Sequence, residues 1–413
     1  MAELDWDALS EFVDGMWDDS ALPDLYRFIE IPALSPAFDA DWNANGHLDA
    51  TIDLFTAWLA TVPLEGLSVN VHQLAGLTPL ILCKVEGTAP GEVLFYSHLD
   101  KQPEFTGWSE GKGPWKPVRE GDWLFGRGSV DDGYGGYAGI ISVLALQQQG
   151  IPHPTCRFII ETCEESGSPD LPAYLAECKD DLGTPDLVIV LDSGMGDYER
   201  LWITESLRGL IGGTLSVAVS AEGVHSGMAS GVMPSSFRIA RQLLSRLEDE
   251  DTGALRPDWL HIDISDELRA DSQRICDVLG QALIDDFPFL DGVEAQSTDL
   301  VEALLAQNWR PTLSITGAGG MPALEQAGNV LRTHTDLKVS VRIPPGIESE
   351  LAAARLKQLL EADPPHGAHV SMTLDTAANG FAAPAMPLEE VVDPTGAGDV
   401  FTAAYLIRFQ ESG

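Results

Sequence analysis

Four clusters of polar residues along the chain have side chains that could carry out metal-dependent chemistry. The clusters are 97–100, 126–133, 161–167 and 192–194, and each stands near the end of a predicted strand or the beginning of a predicted helix. Together they contain one imidazole and several carboxylates, which are donors that zinc and other first-row divalent ions accept. Any one of these carboxylates alone is compatible with a solvated surface group. All four clusters at strand ends indicate a metal site, because functional groups gather there in open α/β sheets.

Spacing within two of the clusters predicts individual roles. In an extended segment His98 and Asp100 point to the same side, so Asp100 can orient the imidazole by accepting its second N–H. If their segment is extended, Glu164 and Glu165 point to opposite sides. One of them can then bind metal while the other remains free as a base.

An α/β sheet is predicted to position these clusters. Residues 5–62 have a helical pattern with short breaks, including the segment 42–60. From about residue 67, short apolar runs bounded by Gly, Pro and Asp predict buried strands. These strands cover 80–85, 92–97, 156–161 and 187–192, and a helix over 137–149 lies between them. Strands that alternate with helices are typical of an α/β sheet.

A second region, of α+β type, is predicted to begin near Gly209. Its predicted strands are 213–220, 337–343 and 369–374, and its predicted helices are 234–247 and 348–360. Two helices packed on one antiparallel sheet fit this order of elements. The acidic segment 249–308 has a helical pattern and is expected to be an insertion.

The motifs H-x-D, G-R-G-x-x-D-D, E-E-S-G-S and H-S-G in combination resemble those of a zinc metallopeptidase family. That family includes carnosinase-type dipeptidases, aminoacylases, glutamate carboxypeptidases and succinyl-diaminopimelate desuccinylase. The resemblance runs from about residue 20 to 386. It implies an α/β catalytic domain with a mixed sheet, an inserted α+β lid and dimerisation domain, and hydrolysis of dipeptides or N-acyl amino acids.

The resemblance also implies roles for the residues of the catalytic clusters. His98, Asp131 and Asp192 would hold one zinc ion. Asp131 would bridge to a second zinc ion, which Glu165 also binds. Glu164 would be the general base, and Asp100 would orient His98. The family usually has Lys after the paired aspartates, where this chain has Gly133.

In the second region the resemblance assigns three further residues. His225, in Val224-His225-Ser226-Gly227, would polarise the scissile carbonyl of the partner subunit in a homodimer. A histidine taken alone is more often structural. Asn329 and Arg342 would contact substrate, with Arg342 able to bind a carboxylate bidentately. The alternative for Arg342 is a surface ion pair.

The C-terminal stretch departs from the family. The return to the catalytic domain is visible at 377–381 and stops near Pro387, and no histidine follows His369. The second zinc ion therefore lacks its expected imidazole, and the last part of the catalytic domain is expected to be missing. Residues 388–413 resemble instead the signature of ribokinase-type sugar kinases. Asp399 matches the base of that signature, but the rest of a kinase is absent, so Asp399 is expected to be non-catalytic in a fused or chimeric tail.

The predicted domains are therefore 1–207 (catalytic), 208–376 (lid and dimerisation), 377–387 (start of the return) and 388–413 (tail). Two other interpretations stay open at this point, a catalytically inactive relic and, on the tail alone, a protein related to sugar kinases.

The composition indicates which classes of binding partner are disfavoured and which cellular compartment is expected. The 413 residues include 64 acidic and 24 basic ones, a net charge of −40 that disfavours nucleic acid and anionic lipid. No apolar run reaches the length of a membrane span, and the N-terminus has no basic segment typical of a secretory signal. Five cysteines without a C-x-x-C pair favour a reducing cytoplasm.

Overall fold

The computed structural model describes residues 4–192, 194–197, 200, 202–204 and 206–382. The chain divides into two compact units, one up to Trp202 and one that begins at Ile203. Within the described ranges, no helix is both long enough and apolar enough to cross a membrane. The domain borders at 207/208 and 376/377 stay predictions.

The first unit contains helices before and between the strands of one main sheet. Its elements are α1 (Trp6–Met16), α2 (Leu22–Glu30), α3 (Trp42–Asn45), α4 (His47–Leu59), β1 (Leu67–His72), β2 (Leu80–Val85), β3 (Glu92–His98), β4 (Val118–Glu120), β5 (Trp123–Phe125), α5 (Gly135–Gln148), β6 (Thr155–Glu161), α6 (Leu171–Glu177), α7 (Lys179–Leu182) and β7 (Leu187–Val190). The π-helical turn Trp17–Ala21 joins α1 to α2.

The main sheet has the strand order β1-β2-β6-β3-β7. β1, β2 and β6 pair antiparallel, whereas β6, β3 and β7 pair parallel, so the prediction of a mixed sheet is confirmed. Register places His98 opposite Glu161, the last residues of β3 and β6. The carboxyl ends of the three parallel strands therefore meet at one edge of the sheet.

Helix α5 is the central helix of the first core. Every residue from Gly135 to Leu146 is buried, which is why its sequence is apolar on all sides rather than amphipathic. The rings of Phe95 and Phe158 stack with centroids 4.6 Å apart beneath it. Burying one such aromatic side chain contributes about 1.5–3 kcal/mol. A rigid layer thus supports the loop that runs into α5.

The second unit contains a four-stranded sheet with helices. Its elements are β8 (Ser206–Leu207), β9 (Gly209–Ala218), β10 (Val224–His225), α8 (Ser226–Ala229), α9 (Ser236–Leu244), α10 (Asp266–Leu279), α11 (Ala282–Asp285), α12 (Leu300–Asn308), β11 (Thr312–Gly319), β12 (Val330–Leu331), β13 (His334–Ile343), α13 (Ser349–Glu361), β14 (His369–Leu374) and β15 (Phe381–Ala382).

The four long strands form an antiparallel sheet of order β11-β13-β9-β14. Alternate residues of β13, such as Val339 and Val341, are buried in one cluster with Leu243 of α9 and Leu356 of α13. Two helices on one antiparallel sheet are therefore present, as the alternation of apolar residues predicts. The acidic segment contains α10, α11 and α12.

Three predicted elements differ clearly from the structure. The strand expected over 213–220 covers Gly209–Ala218 instead. The helix expected over 42–60 is divided between α3 and α4 by Gly46, whose φ of 70° is left-handed and ends α3. The strand expected over 187–192 ends at Val190. Asp192 therefore lies beyond the strand, in the loop at the carboxyl edge of the sheet.

Candidate metal centre

His98 lies at the centre of the carboxyl edge of the first sheet and is completely buried. Its main-chain N–H donates to Asp132 Oδ2 at 3.0 Å. Its Nδ1 lies 3.1 Å from the main-chain oxygen of Asp100 and 3.4 Å from Asp100 Oδ1. Asp100 thus contacts the ring nitrogen that its predicted role requires, through its main chain as well as its carboxylate. These contacts hold the ring so that Nε2 faces away from them.

The Nε2 atom of His98 faces a set of carboxylates. It lies 3.3 Å from Asp131 Oδ1, 3.6 Å from Asp192 Oδ2 and 3.8 Å from Glu164 Oε2. Donors bound tetrahedrally to zinc at about 2.0–2.2 Å lie about 3.3–3.6 Å apart. Nε2 is buried and makes no hydrogen bond within the described part of the chain. An unpartnered imidazole nitrogen among carboxylate oxygens fits the donor set of a divalent metal ion.

Two compact groups of metal-ligating atoms contain this nitrogen. One is His98, Asp131 and Glu165, and the other is His98, Glu164 and Asp192, each with its atoms within 4.8 Å of one another. The set predicted for the first zinc ion, with Asp131 and Asp192 together, is not one of these groups. The structure therefore brings the imidazole of His98 and the four predicted carboxylates together. Asp131 and Glu165 lie on one side of Nε2, and Glu164 and Asp192 lie on the other.

The segment of the paired glutamates is not extended, so the expectation based on extended geometry does not apply. Residues Glu164–Ser166 form a 3-10 turn. The carboxylate of Asp100 holds this turn, because its Oδ1 accepts from Glu164 N at 3.1 Å and its Oδ2 from Glu165 N at 3.0 Å. The turn sends Glu164 to the side of Asp192 and Glu165 to the side of Asp131.

Electrostatics at the site favour a positive charge at Nε2. Burial by itself lowers the pKa of His98, but its carboxylate neighbours, Asp100 first among them, raise it well above its usual range. The pKa of Asp131 is lowered, chiefly by the adjacent imidazole of His98, whose Nε2 lies 3.3 Å from Asp131 Oδ1. The same field favours either a proton on His98 or a metal cation beside it.

The two glutamates have raised pKa values. Burial raises the pKa of Glu164 to about 7, with Asp192 and Glu165 adding repulsion and His98 opposing it. Burial also raises the pKa of Glu165, whose Oε2 accepts from Gln102 Nε2 at 2.5 Å. A carboxylate whose pKa lies near neutral pH is suited to proton transfer.

Lys101 is a residue of this site that the sequence motifs did not indicate. It directly follows the H-x-D motif and is fully buried. Its Nζ donates to the main-chain oxygens of Phe28 at 2.5 Å and Ile31 at 2.8 Å, and lies 3.9 Å from the centroid of the Phe28 ring. Burial lowers the pKa of its ammonium well below the usual value. Lys101 thereby joins the C-terminal end of α2 to the segment that carries His98.

Two further features of the loop before α5 were not anticipated. Asp132 is fully buried, and burial raises the pKa of its carboxyl well above the usual range. A Cβ atom on Gly133 would lie 2.2 Å from the main-chain oxygen of Gly128 and 2.4 Å from the Phe28 ring. The absence of a side chain at 133 therefore has a packing reason in this chain. The sequence signal available for Lys101 was its position directly after the H-x-D motif.

The predicted residues of the second unit are placed as follows. His225 precedes α8, and its Nδ1 accepts from Gly227 N at 3.1 Å. Asn329 lies beside it, because its main-chain oxygen accepts from Ser226 N at 2.8 Å. Arg342 is exposed on β13 and makes no ion pair within the described ranges, so its alternative as a surface ion pair is not observed. Asp399 and the tail 388–413 lie outside the described residues.

Comparison with known proteins identifies relatives of both units. The model of peptidase family M20/M25/M40 matches residues 94–382. Cys-Gly metallodipeptidase dug1 of Schizosaccharomyces pombe is 27% identical over 86% of this chain and 75% of its own length. The Beta-Ala-His dipeptidase of Homo sapiens is 27% identical over 75% of this chain, which spans 62% of that protein. The structure of the dipeptidase Dug1p from Saccharomyces cerevisiae superposes with a TM-score of 0.73 at 20% identity, covering 92% of this chain and 81% of that one.

Proposed function

Because the chain belongs to peptidase family M20/M25/M40, we propose that it is a metal-dependent hydrolase of dipeptides or N-acyl amino acids. The observation that carries the proposal is the buried Nε2 of His98, which faces the carboxylates of Asp131, Asp192 and Glu164. Two relatives that are named as dipeptidases support the substrate class.

Zinc is the proposed metal. In the arrangement carried over from the family, His98, Asp131 and Asp192 hold one ion, and Asp131 and Glu165 contribute to a second. The two compact groups of donors share the single Nε2 of His98, which can coordinate only one ion. We therefore expect about one tightly held zinc ion per chain, since a catalytic zinc usually has three protein ligands.

Glu164 is the proposed general base. When bound, zinc acidifies a water molecule and polarises the scissile carbonyl. Glu164 accepts the proton of the attacking water and then donates it to the leaving amine nitrogen. Its carboxylate is one-third exposed, so it can reach a bound water, and its raised pKa favours uptake and release of a proton near neutral pH. Asp100 keeps both His98 and the Glu164 turn in place.

The second unit is proposed to act as a lid and as the interface of a homodimer. His225 would donate to the carbonyl oxygen of the substrate in the partner subunit, and Asn329 and Arg342 would contact the substrate. The proximity of His225 and Asn329 supports a common role for these two residues. The guanidinium of Arg342, which has no ion-pair partner among the described residues, supports the binding of a carboxylate. A cytoplasmic location is also proposed, because all five cysteines are free thiols.

A metal-dependence assay tests the function. The purified chain is loaded with zinc or manganese and offered a panel of dipeptides and N-acyl amino acids, while bound metal is measured by mass spectrometry. We expect hydrolysis that a chelator abolishes and that added metal restores. A chain that retains metal and hydrolyses no member of the panel would contradict the proposed activity and favour an inactive relic.

A further inference from the structure

A groove of about 330 Å³ lies in the first unit, between the loop that follows β3 and the segment after β5. Its walls include three aromatic rings and two cations, namely Phe105, Trp108, Lys112, Phe125 and Arg127. The proposed function assigns no role to any of them. Positive side chains at one groove are unusual in a chain with 64 acidic and 24 basic residues.

The two cations of the groove differ in their partners. Lys112 Nζ lies 2.9 Å from Glu120 Oε2 and 3.2 Å from the centroid of the Phe125 ring, so its charge is already compensated. Arg127 has no carboxylate partner within the described ranges, and its Nε is buried without a hydrogen bond there. The charge of this guanidinium is therefore not compensated by any described carboxylate, which favours an anion at the groove.

Phe105 holds its ring beside this guanidinium. The ring centroid lies 5.0 Å from Arg127 Cζ, and the side chain is 63% exposed. The backbone of Phe105 has a φ of 53°, a left-handed conformation that a phenylalanine rarely adopts. Phe105 and Trp108 thus form apolar walls next to a planar group that can make two parallel hydrogen bonds.

The groove lies close to the metal centre along the chain. Arg127 precedes Asp131 by four residues in the loop that enters α5. Gln102 Nε2 donates to Glu165, a member of one donor group, and the groove residue Phe105 follows Gln102 by three residues. Both segments that line the groove therefore lead directly from residues of the metal centre.

We infer that the groove binds a carboxylate-bearing side chain of the substrate, as in aspartyl or glutamyl dipeptides, with Arg127 pairing with the carboxylate. The inference rests on the proposed function. Phe105 and Trp108 would cover the methylene groups of that side chain. A site built around an unpaired guanidinium favours an acid over its amide, because the amide satisfies fewer charged hydrogen bonds.

Matched acid and amide substrates test the inference. Hydrolysis of Ala-Glu is compared with that of Ala-Gln, and Glu-Ala with Gln-Ala, because each pair differs only in charge and hydrogen-bonding capacity. We expect kcat/KM to favour the acid about tenfold or more in at least one pair. In Arg127→Gln this ratio should fall to about 1, whereas Arg119→Gln, which changes an exposed arginine outside the groove, should keep it. A ratio makes the result independent of a general loss of activity.

A binding measurement separates this inference from the proposed function. Calorimetry of the full chain with glutarate and with neutral glutaramide should show binding of glutarate that Arg127→Gln abolishes and Arg119→Gln retains. Glutarate binding that depends on Arg127 in a chain that hydrolyses nothing would uphold the groove and refute the hydrolase. An acid-to-amide ratio near 1 in the parent, or one that Arg127→Gln does not change, would overturn the inference. Glutarate binding unaffected by Arg127→Gln would overturn it as well.

Discussion

Replacing Glu164 with Gln should abolish hydrolysis while leaving the metal in place. Gln has nearly the same size, and the turn that carries residue 164 is held by main-chain N–H groups donating to Asp100, which the substitution does not alter. The fold and the position of His98 should therefore be preserved. What is lost is the atom that accepts a proton, since an amide oxygen is a very weak base.

The size of the effect follows from this role. General-base catalysis contributes about 10²–10⁴-fold to the rate, which corresponds to about 3–5 kcal/mol of the barrier. We expect kcat to fall by that factor and the zinc content per chain to stay unchanged. Glu164 Oε2 lies 3.8 Å from His98 Nε2, farther than the oxygens of Asp131 and Asp192. Of these three carboxylates, we therefore expect Glu164 to contribute least to holding the zinc ion.

The decisive measurement combines steady-state kinetics with metal analysis on the same preparations. Asp192→Asn is the matched comparison, because it removes the other carboxylate of the same compact group. Asp192→Asn should lose metal and activity together. If Glu164→Gln loses metal to the same extent, Glu164 is a ligand and the assignment as base is wrong. If Glu164→Gln keeps substantial activity, another group performs the proton transfer.

Four further substitutions test other parts of the structure. Lys101→Met leaves the main-chain carbonyls of Phe28 and Ile31 without their donor and should lower the free energy of unfolding by about 2 kcal/mol in a urea titration. Unchanged stability would show that Lys101 does not stabilise the end of α2. Gly133→Ala places a Cβ 2.2 Å from a main-chain oxygen and should destabilise by about 1–3 kcal/mol, so an unaltered melting temperature would contradict the packing argument. The pKa of Glu92 is lowered, chiefly by the hydrogen bond that it accepts from Arg157. Its stabilisation is therefore fully present above the unfolded pKa of about 4.3 and is lost as pH falls through the lower folded pKa. Glu92→Gln should cost about 1 kcal/mol at pH 7, and urea titrations at decreasing pH should show this cost diminish only below about pH 4.3. Mixing His225→Ala with Glu164→Gln chains should restore part of the activity, and no rescue in confirmed mixed dimers would mean that His225 acts within its own chain.

Much of the fold and of the candidate site can be predicted from local sequence. The apolar runs of β2, β3 and β6 and the alternation in β13 follow from burial on one or both faces of a sheet, which is a property of neighbouring residues. Residue type and position, at a strand end or ahead of a helix, predict the clusters that contain His98, Asp131, Glu164, Glu165 and Asp192, and the family resemblance implies the role of each. The mixed sheet then brings them together because parallel strands place their carboxyl ends at one edge.

The chain's sequence by itself determined which residues form the strands and which donors meet at the carboxyl edge. Only the tertiary structure decided how the carboxylates divide around Nε2, that Asp100 holds the glutamate turn, and that Lys101 is buried against α2. These contacts join segments that are 64 and 73 residues apart. The periodicity of apolar residues indicates whether a residue is buried or exposed, but it does not identify a contact partner far away in the sequence. Such a contact depends on the strand order and on the packing of the whole unit, which a short stretch of sequence does not contain.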